Sequence, residues 1–267
     1  MSEPSVLQEY DDGVLVVTLN RPRKRNAFDD SQWDGLRDAL NRARGDDSVA
    51  VVVLTGAGED FSAGQDLGAF RRAGEPRADG NVSGFYGCVD AVFACDKPML
   101  AAVRGVAVGG GATLAIACDI VYVGESLRLR LPFVSLGLVP EIASSYTLQA
   151  AIGRQRAAEL FYTAEWVNAQ RAVEVGLAAR AFSDAELLPA TLAKAKEIAR
   201  WPVKSLQATK RTLQVAHQAA IQAARRAEDD GMALRAGSPE NREAVSAFLE
   251  KRDPDFRQFR KPEIEDR

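Results

Sequence analysis

Histidine is almost missing from this chain: His217 stands alone among 267 residues. It falls in "LQVAHQAAIQAARR", a strongly helix-forming stretch, where a surface or packing role is expected. With one histidine and three scattered cysteines, neither a zinc site nor a Ser-His-Asp triad can be assembled in the usual way. Cys88, Cys95 and Cys118 show no CxxC spacing and are too few for a disulfide framework, so a reducing, cytoplasmic setting is expected. No run of about 18 apolar residues offers a membrane span. The opening "MSEPSVLQEYDDG" holds acidic residues and no apolar core of signal-peptide length. The net charge of −3 leaves no broad basic field, which argues against general nucleic-acid binding while leaving room for a local basic cluster.

Several common signatures are lacking too. There is no GxxxxGK. The run "VGGGATL" has three glycines but not the GxGxxG spacing of a dinucleotide fingerprint. "DFSAG" has the outline of a hydrolase nucleophile elbow, but Asp60 stands where the first glycine belongs and no histidine lies nearby.

What is present is an ordinary globular composition, 46% hydrophobic and 27% charged, in a length that fits one large domain or a domain with a helical appendage. "SVLQEY" and "GVLVVTLN" flank a turn at Asp11, Asp12 and Gly13, a hairpin signal. "SQWDGLRDALNRAR" places Trp33, Leu36, Leu40 and Ala43 at helical spacing, with Ser31 or Asp30 as candidate N-cap. "AVVVLTG", "MLAAVRG" and "IVYVGE" are short buried-type strands, and helices are expected through "FYGCVDAVFAC" and after "VGGG". This alternation predicts an α/β fold. From about Arg154 onward the chain is mostly helical, with Pro202 breaking two long helical stretches. The expected division is a core over 1–200 and a helical region over 201–267 that packs on the core or on another subunit.

Two loops carry the chemical interest. "FSAGQDL" and "VAVGGGATL" each follow a buried strand and end in glycine and small residues. Such turns can aim backbone N–H groups into a cleft as an oxyanion hole. They can equally serve only as turns that let a helix come close, and spacing alone does not separate the two.

Here the residues carry a resemblance. "FSAGQDL", "KPMLAAVRGVAVGGGATLAIACDIVYVGES", "PFVSLGLVPEIASS" and "FLEKRDPDF" resemble the crotonase (enoyl-CoA hydratase/isomerase) superfamily, in order and spacing along nearly the whole chain. The resemblance implies a ββα spiral core followed by a helical trimerisation region, and a homotrimer or dimer of trimers. It implies an acyl-CoA thioester as substrate, coenzyme A being part of that substrate, with no separate cofactor and no metal. It implies that the N–H groups of Ala63 and Gly110 hold the thioester oxygen. Arg23, Lys24 and Arg25 fall where the family contacts the CoA nucleotide, and Lys251 matches a lysine that reaches CoA from a neighbouring subunit. Each of these basic residues could also be a solvated surface charge. Asp66, beside the oxyanion loop, is a candidate substrate-site residue. Like Asp119, it has loop stabilisation as the simpler reading. The segment Arg71–Gly84 borders the expected acyl tunnel.

The sequence departs from the hydratases of this family where they keep two glutamates. Those positions are Thr113 and Phe133 here. A hydroxyl and a phenyl ring cannot activate water near neutral pH. Glu141, eight residues beyond Phe133, falls where enoyl-CoA isomerases of the family hold a carboxylate. It stands among Leu136, Leu138, Val139, Ile142 and Ala143 in "SLGLVPEIASSYT". Moving a double bond from the 3- to the 2-position needs one movable proton and no water. Apolar walls, of which Phe133 supplies part, raise a carboxylate's pKa toward the working pH. The expectation is a Δ3,Δ2-enoyl-CoA isomerase with Glu141 as sole acid–base. The alternatives are a hydratase-type enzyme and a catalytically silent acyl-CoA-binding homologue.

Overall fold

The computed structural model describes residues 3–66 and 83–260. Most of the segment Arg71–Gly84, expected to border an acyl tunnel, therefore lies outside the described residues. The hairpin is present: β1 (Val6–Asp11) pairs antiparallel with β2 (Val14–Leu19) across a turn in which Asp12 and Gly13 take positive φ. From β2 onward the sheet is parallel, in the order β1-β2-β3-β4-β6-β8, with β3 (Val51–Gly56), β4 (Met99–Val103), β6 (Ile120–Gly124) and β8 (Arg180–Phe182). Strands β2, β3, β4 and β6 are continuous apolar runs because both faces are covered. In β2, Leu15, Val17 and Leu19 enter the main core, whereas Val14 and Val16 face the opposite side.

The main core is closed by α1 (Asp30–Gly45) and α2 (Gly84–Ala94), which lie against one another. Trp33, Leu36, Leu40 and Ala43 are buried on one stripe of α1, as their spacing predicts. The N-cap is Asp29 rather than Ser31 or Asp30. Its Oδ1 accepts from the Gln32 N–H at 3.0 Å and also from the Ser31 hydroxyl, so the first serine serves the cap without being it. The opposite face of the sheet is covered by α7 (Asp184–Ala199), through Leu188, Leu192 and Ala195.

A second, inner layer sets the site. β5 (Val106–Val108) and β7 (Arg128–Arg130) pair in parallel, and bridges extend the pair outward, Ser62 to Ala107 on one side and Leu129 to Val167 on the other. Each of β4 and β6 is thus followed by a short inner strand and then a helix: β4–β5–α3 (Gly110–Ile116) and β6–β7–α4 (Ser144–Ile152). That recurrence is the ββα unit expected of the core. Helices α5 (Arg154–Thr163) and α6 (Ala169–Val175) precede β8. β8, three residues long and largely exposed, gives too short an apolar signal, and it becomes a strand only by pairing with β6.

After the break at Arg200–Pro202 come α8 (Val203–Val215), α9 (Gln218–Arg235) and α10 (Pro239–Glu250). α9 lies against α4, and α10 against the turn Val134–Leu136. The last helices therefore also brace the core. All three cysteines are free and buried, and burial pushes the Cys118 thiol up to about 12 and raises Cys88 and Cys95 as well. They behave as inert core residues. No helix among the described residues is long and apolar enough to cross a membrane.

Candidate active site

The loop after β3 and the loop after β5 meet. Gly64 has φ +83°, and a Cβ there would lie 2.5 Å from the Val108 carbonyl oxygen and 3.4 Å from the Gly110 nitrogen. Only glycine fits so close a crossing. Gly110 opens α3, where first-turn N–H groups have no intrahelical acceptor. The expected partner donor, Ala63, is corrected by the hydrogen bonding: its N–H is taken by the Arg25 carbonyl at 2.9 Å, and the Gly64 N–H by the Ser62 hydroxyl at 3.1 Å. Phe28 and Gln65 form a bridge whose bonds use the Gly64 carbonyl and the Asp66 N–H, which leaves the Gln65 N–H without an acceptor among the described residues. The free donor opposite Gly110 is thus two positions beyond Ala63. Sequence spacing could not reveal this, because it depends on Arg25.

Gln65 is also held through its side chain, whose Oε1 accepts from Trp33 Nε1 at 3.0 Å. The Trp33 ring stacks on Phe28 with centroids 3.7 Å apart and meets Phe85 edge-on. Fully buried Asn26 ties the basic loop to the same place, donating to the Ala57 and Asp60 carbonyls and accepting the Arg21 N–H.

Glu141 enters from the other side. Its Oε1 is 2.9 Å from the point where a Cβ on Gly110 would stand, and the Trp33 ring edge is 3.6 Å from that same point. As a residue Glu141 is half-buried. Burial, aided by the negative charge of Glu228, pushes its pKa up to about 7. Tyr86 on α2 feels the Glu141 charge in turn; burial first, then Asp229 and Glu141, raise its phenol.

The positions that carry carboxylates in hydratases are occupied otherwise. Thr113 is fully buried, and its hydroxyl turns back onto the Gly109 and Gly110 carbonyls at 3.2 and 3.3 Å. Phe133 is buried beside Phe161, with ring centroids 6.3 Å apart. Asp66 pairs with Arg21 at 3.1 Å in a bridge shared with Asp29. Asp119 accepts the Met99 N–H and the Lys210 ammonium, both at 2.7 Å, a brace between β4 and α8. Arg23, Lys24 and Arg25 are exposed on the turn Pro22–Lys24 and its C-cap, which the Arg25–Ala63 backbone bond joins to the loop after β3. Lys251 is exposed at the C-cap of α10, and no hydrogen bond or ion pair joins it to this loop or to Glu141 among the described residues. His217 is the N-cap of α9, with Nδ1 2.6 Å from the Tyr146 hydroxyl. No group of three or more His, Cys, Asp or Glu that could hold a metal occurs among the described residues.

Among the described residues, two loops thus cross at Gly64 and Gly110, and the desolvated Glu141 carboxyl lies beside the crossing. The chain belongs to the enoyl-CoA hydratase/isomerase family, whose model matches residues 9–260. It is 34% identical over 252 residues to 2,3-dehydroadipyl-CoA hydratase of Escherichia coli, covering 91% of this chain and 95% of that protein. It is equally 34% identical, over 255 residues, to 1,2-epoxyphenylacetyl-CoA isomerase of the same organism, covering 94% and 97%. Among solved structures, an enoyl-CoA hydratase/isomerase from Pseudoalteromonas atlantica superposes with a TM-score of 0.89 at 34% identity, covering 94% of this chain and 99% of the other.

Proposed function

We propose that the protein is a Δ3,Δ2-enoyl-CoA isomerase in which Glu141 is the only acid–base. The thioester oxygen of a 3-enoyl-CoA accepts from the Gln65 and Gly110 N–H groups. Glu141 takes a proton from C2, the electron pair delocalises onto the thioester oxygen as an enolate, and the same carboxyl returns the proton at C4. The double bond then lies between C2 and C3, conjugated with the thioester; no water is consumed. Each oxyanion donor contributes roughly 3–4 kcal/mol to such an enolate-like transition state.

The observation that carries this reading is the pairing of Glu141 with Gly110 at a pKa near 7, with no second carboxylate at Thr113 or Phe133. A base matched to neutral pH can both remove and return a proton. Arg23, Lys24 and Arg25 supply the positive rim for the CoA phosphates, and Lys251 reaches CoA bound to another copy. Leu213, Leu234, Phe248 and Leu249 stand exposed on α8–α10, apolar side chains that further copies would cover in the trimeric assembly that belongs to the same proposal.

A hydratase reading draws on the relative named 2,3-dehydroadipyl-CoA hydratase, which is as similar as the isomerase. Supplying 3-enoyl-CoA and 2-enoyl-CoA separately tests the two. Appearance of the conjugated thioester from the first is expected. Loss of conjugation from the second, with no reaction of the first, would favour the hydratase. Binding of both without change would leave a silent acyl-CoA-binding protein.

A further inference from the structure

The backbone that carries Glu141 is held from far along the chain. Ile142 and Ala143 have φ of 57° and 53°, two successive non-glycine residues in the left-handed region. Ala143 is the N-cap of α4 and has no side chain with which to cap it. The missing acceptor comes from α9: Glu228, 6% exposed, accepts the Ala143 N–H on Oε2 at 2.7 Å and the Ser145 N–H on Oε1 at 2.8 Å. One turn on, Gly231 lets Val139 approach to 3.1 Å from where its Cβ would be. α9 therefore grips the segment 139–145 on both sides of Glu141.

We propose that Glu228 is a positioning residue for Glu141, fixing the left-handed backbone of Ile142 and Ala143 beside it through two N–H bonds and presenting a second negative charge to its carboxyl. This rests on the isomerase reading of the site. Among the described residues, Glu228 from α9 and the Tyr86 phenol from α2 act on Glu141, whereas α1 and α3 contribute uncharged Trp33 and Gly110. Glu228 itself has Asp229 beside it on α9; its own pKa is raised by burial and held back by the N–H bonds from Ser145 and Ala143. Removing its charge favours the ionised form of Glu141, so the pKa of Glu141 falls.

The test compares Glu228→Gln and Glu228→Ala with the wild type on 3-enoyl-CoA, in the full-length protein. Glutamine keeps one acceptor oxygen and loses the charge. We expect kcat for Glu228→Gln to fall about tenfold with KM within about twofold, and the acid limb of kcat/KM to move to lower pH by about half a unit or more. Glu228→Ala loses both acceptors and falls further; if it does not fold, the glutamine variant decides alone. Wild-type kcat with an unmoved limb, or a lower kcat with an unmoved limb, would overturn the proposal, the second outcome marking a merely structural brace. Glu141→Gln is run beside them. If that variant turns over normally, the isomerase reading has failed; if it is inert while Glu228→Gln matches wild type, only the positioning role has failed.

Discussion

Glu141 and Gly110 lie so close that the carboxylate oxygen sits 2.9 Å from the place a Gly110 Cβ would take. A glycine there leaves room for the Glu141 carboxyl, the proposed acid–base. Gly110→Ala must displace the Glu141 carboxyl, whereas the Trp33 ring at 3.6 Å is in ordinary contact. We expect kcat/KM to fall about 100-fold, since misplacing a reacting group by about 1 Å costs that much, while thermal unfolding stays cooperative. Gly110→Pro also deletes the donor N–H and should lose at least as much. Steady-state kinetics beside a melting curve checks both.

The raised pKa of Glu141 makes a stability prediction with a definite sign. Its folded pKa is about 7 against an ordinary 4.5. Between those values the native state binds more protons than the unfolded chain, so stability falls as pH rises through this window. Glu141→Gln, which cannot ionise, should be more stable than wild type at pH 8, by on the order of 2–3 kcal/mol. The advantage should shrink toward pH 5. Denaturant unfolding at the two pH values reads the difference directly; a gap independent of pH would contradict the burial of this carboxyl.

Asp119 separates structure from chemistry. Its carboxylate joins the Met99 N–H to buried Lys210 and makes no contact with Glu141 or Gly110. Asp119→Asn should destabilise the protein by about 1–3 kcal/mol, through an uncompensated Lys210 charge, and leave kcat within about threefold. Unfolding and turnover measured on the same preparation would show the two effects part.

Periodicity and the apolar runs made most of the core legible in the sequence: the hairpin, the buried stripe of α1 and strands β3, β4 and β6. β8 was not legible, because "RAF" acquires strand character only from its partner β6. In the site, Glu141 and Gly110 stood out as residue types in the right order, and the structure places them side by side. The Ala63 expectation failed for a physical reason: which N–H in "FSAGQD" is free depends on the Arg25 carbonyl, 38 positions earlier. Glu228 was likewise invisible, since nothing within the helical stretch of α9 tells that one of its many charges turns inward to cap another helix.

The most direct test of the single-carboxylate mechanism is the rate at which Glu141→Gln forms conjugated 2-enoyl-CoA from 3-enoyl-CoA, with acyl-CoA binding measured on the same sample. The account predicts a loss of about 10³–10⁴-fold in kcat with the dissociation constant within about threefold of wild type. Turnover within tenfold of wild type would contradict it.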